Sequence, residues 1–339
     1  MARGHKDLPR NVRPIILDKQ GIFADLKQID NDKAACDRIL RMENDFRTKI
    51  TNHLGTLPTV NADFVRFNTS PFVLMFYSKQ KKYAHVREIE KDIIPAKVFS
   101  SMETSAGRMV EMVVLPAYGW RCVESSMHST ESVIDGEKIA EDIKRYEAVT
   151  LKSGPRCLND EMAKDIGTDI ATKIKSWAEG RGFSEISFTY GVLYGTKKIS
   201  NKKDWHVIRN ISENLPAGAV VESSHSGRWG IDYKFDNITV SANVRIGLEW
   251  WDYLGGRTAY LEVCAALIRA CIEPAAEATT PGSYTIRDLG SIVSVSSLPN
   301  DYNVKILQKS QYEWLLFLVR HFCDGFTDRH NSGVLSCTA

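Results

Sequence analysis

The stretch Tyr146-Glu-Ala-Val-Thr-Leu-Lys152-Ser-Gly-Pro155 decides the fold. It begins as a short apolar segment, which is typical of a buried strand, and a Ser-Gly-Pro turn follows Lys152 at once. A second extended segment, Glu131 to Ile134, precedes it in the chain and leads directly into Asp135. If the two segments form neighbouring strands of one sheet, Asp135 and Lys152 converge at the same edge of that sheet.

Helical and extended patterns alternate beyond this stretch. A helix is predicted from about Asn159 to Glu179, and a strand from Ile186 to Leu193. Alternating apolar residues on both sides of Asp236-Asn237 predict a β-hairpin within residues 231–246. Helices interleaved with strands predict an α/β fold, in which a mixed central sheet of about five strands is flanked by helices.

The two ends of the chain are predicted to be additions to this core. The N-terminal part is predicted to be a helical layer, and the C-terminal part a hairpin followed by helices. We divide the chain into an N-terminal helical region (1–95), a core (96–215) and a C-terminal region (216–339) that completes the same domain. The further predicted elements are a helix from Gly21 to Leu54 that Gly55 ends, a buried strand Phe72–Tyr77, a helix Lys91–Leu115 entered through Pro95, and helical segments Leu248–Ile272 and Lys309–Phe326 joined by a loop near Thr279–Ser283.

Composition excludes several classes of protein. The chain has 339 residues, of which 43% are hydrophobic and 25% charged, so it can bury a large core and is not expected to be disordered. Its apolar runs are too short for a membrane helix of roughly 20 residues, and no signal-peptide pattern follows the charged N-terminus, so we expect a cytoplasmic protein without a membrane partner. The seven cysteines are scattered and are expected to be buried and reduced. The net charge of +2 neither indicates nor excludes a nucleic-acid partner.

An aspartate and a lysine at neighbouring strand ends suit metal-assisted hydrolysis of a phosphodiester. A divalent cation at a phosphate needs hard oxygen ligands, and a nearby lysine can orient the attacking water and offset charge in the transition state. Asp135 and Lys152 would fill these two roles. The plainer alternative is a surface acid beside a turn and a solvated lysine.

The surrounding residues resemble a known nuclease motif. The segment from Asp135 to Lys152 is similar to the PD-(D/E)xK motif, although Thr150 occupies the position of the second acid. The run Lys152-Ser-Gly-Pro-Arg-Cys-Leu-Asn159 resembles Lys-(Ser/Thr)-Gly-Pro-x-x-(Ile/Leu)-Asn of a set of type II restriction endonucleases. Looser similarities follow in Tyr190-Gly-Val-Leu-Tyr194-Gly195 and Ile246-Gly-Leu-Glu-Trp-Trp251-Asp-Tyr-Leu-Gly-Gly256, so the resemblance covers about residues 100–256.

The resemblance implies a restriction-endonuclease-like core and a prokaryotic restriction-modification enzyme. Such an enzyme cuts double-stranded DNA at a specific sequence with Mg²⁺, works as a homodimer and needs no organic cofactor. Its DNA-recognition and dimer elements are expected in region 216–339. The expected catalytic residues are Asp135, Lys152 and Glu103, and the expected metal ligands are Asp135, Glu103 and Leu151.

Glu103 is the first candidate for the missing acid, because some enzymes of this superfamily carry a glutamate on the helix before the motif strands. Glu111 lies eight residues on and could share its face of the helix. Glu147 is less suitable, because it points to the other side of its strand from Thr150 and Lys152. Alternatively, the threonine marks an inactive enzyme or one that binds its metal through fewer carboxylates.

Several further residues are candidates for DNA contacts. Four lysines around Ser200-Asn201 suit phosphate contacts or a solubilising turn, and a polar loop before the hairpin carries an arginine that could read guanine. Trp250, Trp251 and Trp314 are expected in the core, and the spacing of His321, Cys323, Asp328 and His330 matches no metal site. The residues expected to bind DNA are Lys197, Lys198, Lys202, Lys203, Arg228, Ser153 and Asn159.

Three other functions fit the same sequence. One is a DNA-binding protein that keeps the nuclease fold without its chemistry. Another is a repair or defence nuclease, which would not cut at a fixed sequence. The third is a structural or capsid-like protein, which would show neither salt-sensitive DNA binding nor metal dependence. The recognition sequence and cut position depend on loop geometry and are not predicted.

Overall fold

The computed structural model describes residues 19–67, 69–123, 133–140, 144–224, 229–274 and 301–322. Short 3-10 turns at Phe64–Phe67 and Val86–Ile89 join the first helices. The helices are α1 (Lys19–Asn31), α2 (Lys33–Thr56), α3 (Pro71–Lys81), α4 (Glu90–Ala117), α5 (Asp160–Arg181), α6 (Lys203–Glu213), α7 (Leu248–Gly255), α8 (Ala259–Cys271) and α9 (Lys309–Phe322). The strands are β1 (Arg121–Cys122), β2 (Gly136–Ala140), β3 (Arg145–Lys152), β4 (Glu185–Val192), β5 (Val220–Ser224), β6 (Gly230–Phe235) and β7 (Ile238–Ile246).

The strands form one mixed sheet of seven strands in the order β1-β2-β3-β4-β7-β6-β5. The three central strands, β3, β4 and β7, are parallel, and their neighbours on both sides are antiparallel. Lys152 is level with Val192, which in turn is level with Ile246. The carboxyl ends of the three parallel strands therefore meet at one edge of the sheet.

Helices cover both faces of the sheet. Along β3, Tyr146 and Ala148 point into one core and Val149 and Leu151 into the other, because side chains alternate along a strand. The first core is closed by α5 and α6. The second is closed by the end of α4 together with α1, α2, α7, α8 and α9. This confirms the predicted mixed α/β architecture, although the sheet has seven strands rather than about five.

The strongly periodic segments were predicted well. The elements β3, β4, α5 and the β6-β7 hairpin are where the sequence indicates, and Asn159 caps α5 by accepting a hydrogen bond from the Met162 N–H (2.8 Å). The helix Lys91–Leu115 is α4, although Pro95 lies inside it rather than at its start. The five cysteines in the described ranges are free thiols as expected, but of these only Cys264 is buried, and Cys157 and Cys271 are exposed, so the prediction that they are buried was wrong.

Several other predictions were wrong. The helix predicted over Gly21–Leu54 is two helices, because Asp32 caps a new one by accepting hydrogen bonds from the N–H groups of Ala34 and Ala35. Gly55 lies within α2 and does not end it. The segment Phe72–Tyr77 is part of helix α3, which begins at a proline, and is not a strand.

Near the motif, the second extended segment is displaced towards the C-terminus. Residues 133 and 134 precede β2, which begins at Gly136, and residues 131 and 132 lie outside the described ranges. Gly256, with a φ of 83°, separates α7 from α8 within the predicted Leu248–Ile272 helix. Trp314 is 46% exposed, so it is not a core residue, whereas Trp250 and Trp251 are buried. The predicted loop Thr279–Ser283, the end of the last predicted helix beyond residue 322, and residues 323, 328 and 330 are outside the described ranges.

No helix in the described part of the chain is long and apolar enough to cross a membrane.

Candidate active site

Asp135 is fixed by three hydrogen bonds to backbone groups immediately before β2. Its N–H donates to the Val149 carbonyl (2.8 Å), and its carbonyl accepts from the Val123 N–H (3.0 Å). Its carboxylate oxygen Oδ2 accepts from the Leu151 N–H (2.6 Å). The side chain is thus held against the end of β3, one residue from Lys152.

Lys152 is the last residue of β3, and its side chain is half-buried. Its carbonyl accepts a hydrogen bond from the Leu193 N–H (2.9 Å), which ties the end of β3 to the end of β4. Its charge lowers the pKa of both Asp135 and Glu111. These opposing effects indicate that both acids lie within reach of the charge of Lys152.

Glu111 brings the second acid to this group from helix α4. Burial, and to a smaller extent the charge of Asp135, raise the pKa of the Glu111 carboxyl to about 8 against the opposing effects of Lys152 and Arg108. Burial also raises the pKa of Asp135, while the Leu151 N–H and Lys152 oppose that rise. Burial therefore disfavours the ionised form of both acids despite the nearby positive charges.

Helix α4 can approach the strand end closely because a glycine faces it. A Cβ at Gly107 would lie 3.4 Å from the Cβ of Ser153, the residue after Lys152. Glu111 follows one helical turn later. At the next turn, Leu115 packs on Gly136, where a Cβ would lie 2.8 Å from the Leu115 Cδ1 atom. The position of Glu111 therefore depends on the packing of α4 against β2 and β3.

Glu103, the acid expected from sequence, does not join this group. It is exposed, it lies about 12 Å before Glu111 along the helix, and its charge acts on the phenol of Tyr194. Among the residues that the structure describes, no three His, Cys, Asp or Glu side chains are close enough to hold a metal together. Glu111, and not the Glu103 expected from sequence, is thus the acid of α4 whose charge interacts with Asp135 and Lys152. Glu147 forms an ion pair with Arg145 (3.2 Å).

Thr150, which replaces the usual acid, has a structural contact of its own. Its buried side chain donates a hydrogen bond from Oγ1 to the Val133 carbonyl (2.5 Å). Val149 and Leu151, its neighbours in β3, bind the backbone and the carboxylate of Asp135. Three consecutive residues of β3 thus hold the segment that carries Asp135.

The two acids suit a magnesium ion. Mg²⁺ commonly binds one or two carboxylates and completes its coordination with water and substrate phosphate. Asp135 and Glu111 supply two carboxylates, and a cation between them would offset the charge that burial disfavours. Leu151, the third ligand expected from sequence, has no donor atom in its side chain and could contribute only its backbone carbonyl.

The three stretches that carry the resemblance pack against one another at this edge. A Cβ at Gly154 would lie 2.7 Å from the phenol oxygen of Tyr194, and one at Gly195 would lie 2.8 Å from Pro155. The backbone of Gly247 approaches the Gly195 carbonyl so closely that a Cβ there would lie 2.2 Å from it. These glycines are therefore required by close contacts between the loops. Tyr194, 41% exposed beside Gly154, is a rim residue that the sequence did not single out for chemistry.

Six of the seven residues expected to bind DNA lie in the described ranges, and these six fall into two groups. Some have partners within the chain: Asn159 caps α5, Lys197 pairs with Glu249 (2.7 Å), Lys203 pairs with Asp160, and Ser153 contacts the thiol of Cys157 (3.5 Å). Lys198 and Lys202 are exposed. Arg228 lies outside the described ranges.

The residues of the candidate site are the basis for assigning a function to this chain. Asp135, Glu111 and Lys152 come from two adjoining strands and a helix that crosses their ends. Comparison of the chain with protein-family models and with curated proteins found no match.

Proposed function

We propose that this protein is a Mg²⁺-dependent endonuclease that hydrolyses phosphodiester bonds of double-stranded DNA. Asp135 and Glu111 would hold the metal, and Lys152 would orient the attacking water. The observation that carries the proposal is the position of the Asp135 carboxylate, which accepts a hydrogen bond from the Leu151 N–H beside Lys152, while α4, which carries Glu111, packs against the residue after Lys152. Partly buried acids with raised pKa values beside a lysine are typical of functional sites.

Each residue has a separate task in the reaction. The Leu151 N–H fixes one oxygen of Asp135, which leaves the other oxygen of the carboxylate available as a ligand. Lys152 presents an ammonium group, whose three N–H donors orient the attacking water and offset charge that develops on the phosphate. When bound, Mg²⁺ would polarise the phosphate and neutralise the two carboxylates.

The loop after β4 supports a DNA backbone contact beside this site. It packs on the motif turn, since the Asn201 side chain donates to the Leu158 carbonyl (3.2 Å) and Arg156 donates to the Ile199 carbonyl (3.1 Å). Lys198 and Lys202 on this loop are exposed and would bind phosphates flanking the scissile bond. Sequence-specific cutting, a homodimer and a prokaryotic restriction-modification role rest on the resemblance of the motif.

Digestion of plasmid DNA with and without Mg²⁺ tests the proposal. Discrete fragments would support a type II restriction endonuclease, and loss of cutting in Asp135→Asn and Lys152→Ala, with DNA binding retained, would support the site. Salt-sensitive DNA binding without cleavage would instead indicate an inactive DNA-binding protein. Cutting without fixed ends would indicate a repair or defence nuclease, and near-normal nicking by either variant would disprove the assigned site.

A further inference from the structure

Helix α3 is apolar but has no buried face. Its first seven residues, Pro71 to Tyr77, are all apolar, yet none of its residues is buried. A short helix is rarely stable in water unless one of its faces packs against other atoms. The exposed apolar side chains of α3 are therefore suited to packing against another molecule.

The outer face of α3 forms a protruding ridge. Phe72, Met75 and Phe76 lie three and four residues apart and so share one side of the helix. They are exposed by 72%, 61% and 75%. We call these three side chains the α3 ridge.

A cavity lies beside the ridge, between α3 and α4. It has a volume of about 280 Å³, and its apolar walls include Val73 and Tyr77 from α3 and Ile93 from α4. Ser70 and Lys97 also line it. The cavity is large enough to accept an aromatic side chain. The same surface therefore carries both an apolar ridge and an apolar cavity.

We infer that the α3 ridge and this cavity form the contact between two copies of the chain. A two-fold dimer uses the same patch on both subunits, so the patch must be complementary to itself, and a ridge beside a cavity satisfies this requirement. The inference rests on the homodimer of the proposed function and places its interface on α3 and α4, not in region 216–339 where the sequence analysis expects it.

The exposed apolar area is appropriate for such an interface. Phe64, Val65 and Phe99, on the segments that flank α3, are also more than half exposed. With the ridge they offer on the order of 800 Å², which is about what each partner contributes to a stable interface. Monomeric proteins rarely expose apolar patches above about 600 Å². The three side chains of the α3 ridge offer no hydrogen-bond donor to the phosphate groups of DNA.

The interface would also connect the two active sites. Helix α4 carries Phe99 near the cavity and Glu111 at the candidate site, about 18 Å apart along the same helix. Pairing through α3 and the first half of α4 would fix the position of one site relative to the other. Two sites in a fixed relation are what cleavage of both strands requires.

The mass of the full chain in solution tests the inference, measured by sedimentation at micromolar concentration with and without the double substitution Phe72→Glu and Phe76→Glu. The wild type should be a dimer, and the variant a monomer whose dimer dissociation constant has risen at least about 1000-fold. Because both side chains are exposed, the circular dichroism spectrum and melting temperature should be nearly unchanged. Leu40→Glu, at a 49% exposed position on α2, is the matched control and should remain a dimer.

A wild-type protein that is monomeric at high micromolar concentration would overturn the inference, and the surface would then be covered by another partner or another part of the chain. A double variant that remains dimeric would also overturn it. If the double variant loses its fold, Phe76→Ala and Met75→Ala should each weaken the dimer, and no weakening by either would refute the interface. A dimer formed through α3 that does not cut DNA would contradict the nuclease alone.

Discussion

Replacing Glu111 with glutamine removes one charge from the candidate site and keeps the size of the side chain. The folded protein raises the pKa of this carboxyl from 4.5 to about 8, chiefly through burial and then through Asp135. The folded state therefore disfavours the ionised form. The stability linked to this group is complete below pH about 4.5 and is lost as the pH rises towards 8.

The size of the effect follows from the shift. Each pKa unit corresponds to about 1.4 kcal/mol, so the full shift corresponds to about 5 kcal/mol as an upper bound. Relaxation of a half-buried side chain and entry of water reduce this value. We expect Glu111→Gln to raise the free energy of unfolding by about 2 to 5 kcal/mol relative to the wild type at pH 8.5, and by almost nothing at pH 4.5.

Urea unfolding in the presence of a chelator, followed by circular dichroism at several pH values, measures this difference. Added Mg²⁺ should then stabilise the wild type, because the metal favours the ionised carboxylate, and should stabilise the glutamine variant much less. Glu103→Gln, on an exposed position of the same helix, is the matched control and should follow the wild type at every pH. The glutamine at position 111 should also abolish DNA cleavage, whereas that at position 103 should not.

A flat difference between wild type and Glu111→Gln from pH 5 to pH 9 would refute the reasoning, because it would mean that the Glu111 carboxyl is not buried in the folded protein. A loss of cleavage in Glu103→Gln alone would return the role of the acid to Glu103.

Three further outcomes are expected. Thr150→Val should lower the cleavage rate at least 10-fold, because the Val133 carbonyl loses its hydrogen bond from the threonine hydroxyl, whereas Thr150→Ser should keep most of the activity. Equal rates of DNA digestion by the valine and serine variants would contradict the role of the hydroxyl. The double variant Lys198→Ala and Lys202→Ala should reduce the salt dependence of DNA binding by about 2 in the log-log slope, and Lys164→Ala on α5 should not; an unchanged slope would exclude the loop as a phosphate contact. Gly154→Ala should cost about 1 to 3 kcal/mol in urea unfolding because its Cβ meets the Tyr194 phenol, and no loss would contradict that packing.

The parts of the fold that the sequence predicted well have strong local periodicity. The alternation on both sides of Asp236-Asn237 indicates a hairpin whatever surrounds it. The apolar run from Tyr146 to Leu151, followed by a turn, has the length of a strand and is too short for most helices. In these segments, local pattern and tertiary environment favour the same structure.

The prediction of a strand at Phe72–Tyr77 was wrong because the local pattern there does not distinguish a strand from a helix. A run of six apolar residues fits a buried strand and a helix equally well, and its length does not decide between them. The proline at position 71 is favourable as the first residue of a helix and was the available signal for α3. Prediction from sequence assumes that apolar residues are buried within the chain. The apolar side chains of α3 are exposed, so their spacing does not mark one buried face of a helix.

The choice between Glu103 and Glu111 could not be made from sequence. Both residues lie on one side of α4, so helical spacing treats them alike. What distinguishes them is the point at which α4 crosses the end of β3, and contacts distant in sequence fix that point. The contact of Gly107 with Ser153 and that of Leu115 with Gly136 place Glu111 over the strand end and leave Glu103 in solvent.

Under the proposed function, an acid on a helix takes the place of the strand acid of the motif, and the site then depends on helix packing. In the usual motif, the acid lies two residues before the lysine on the same strand, so the strand alone fixes their separation. In this chain, the distance between Glu111 and Lys152 depends on how α4 packs on the sheet. The first half of the same helix lines the cavity beside the α3 ridge. A partner bound at that surface would hold α4 in place, so metal binding and dimer formation should favour each other through one helix.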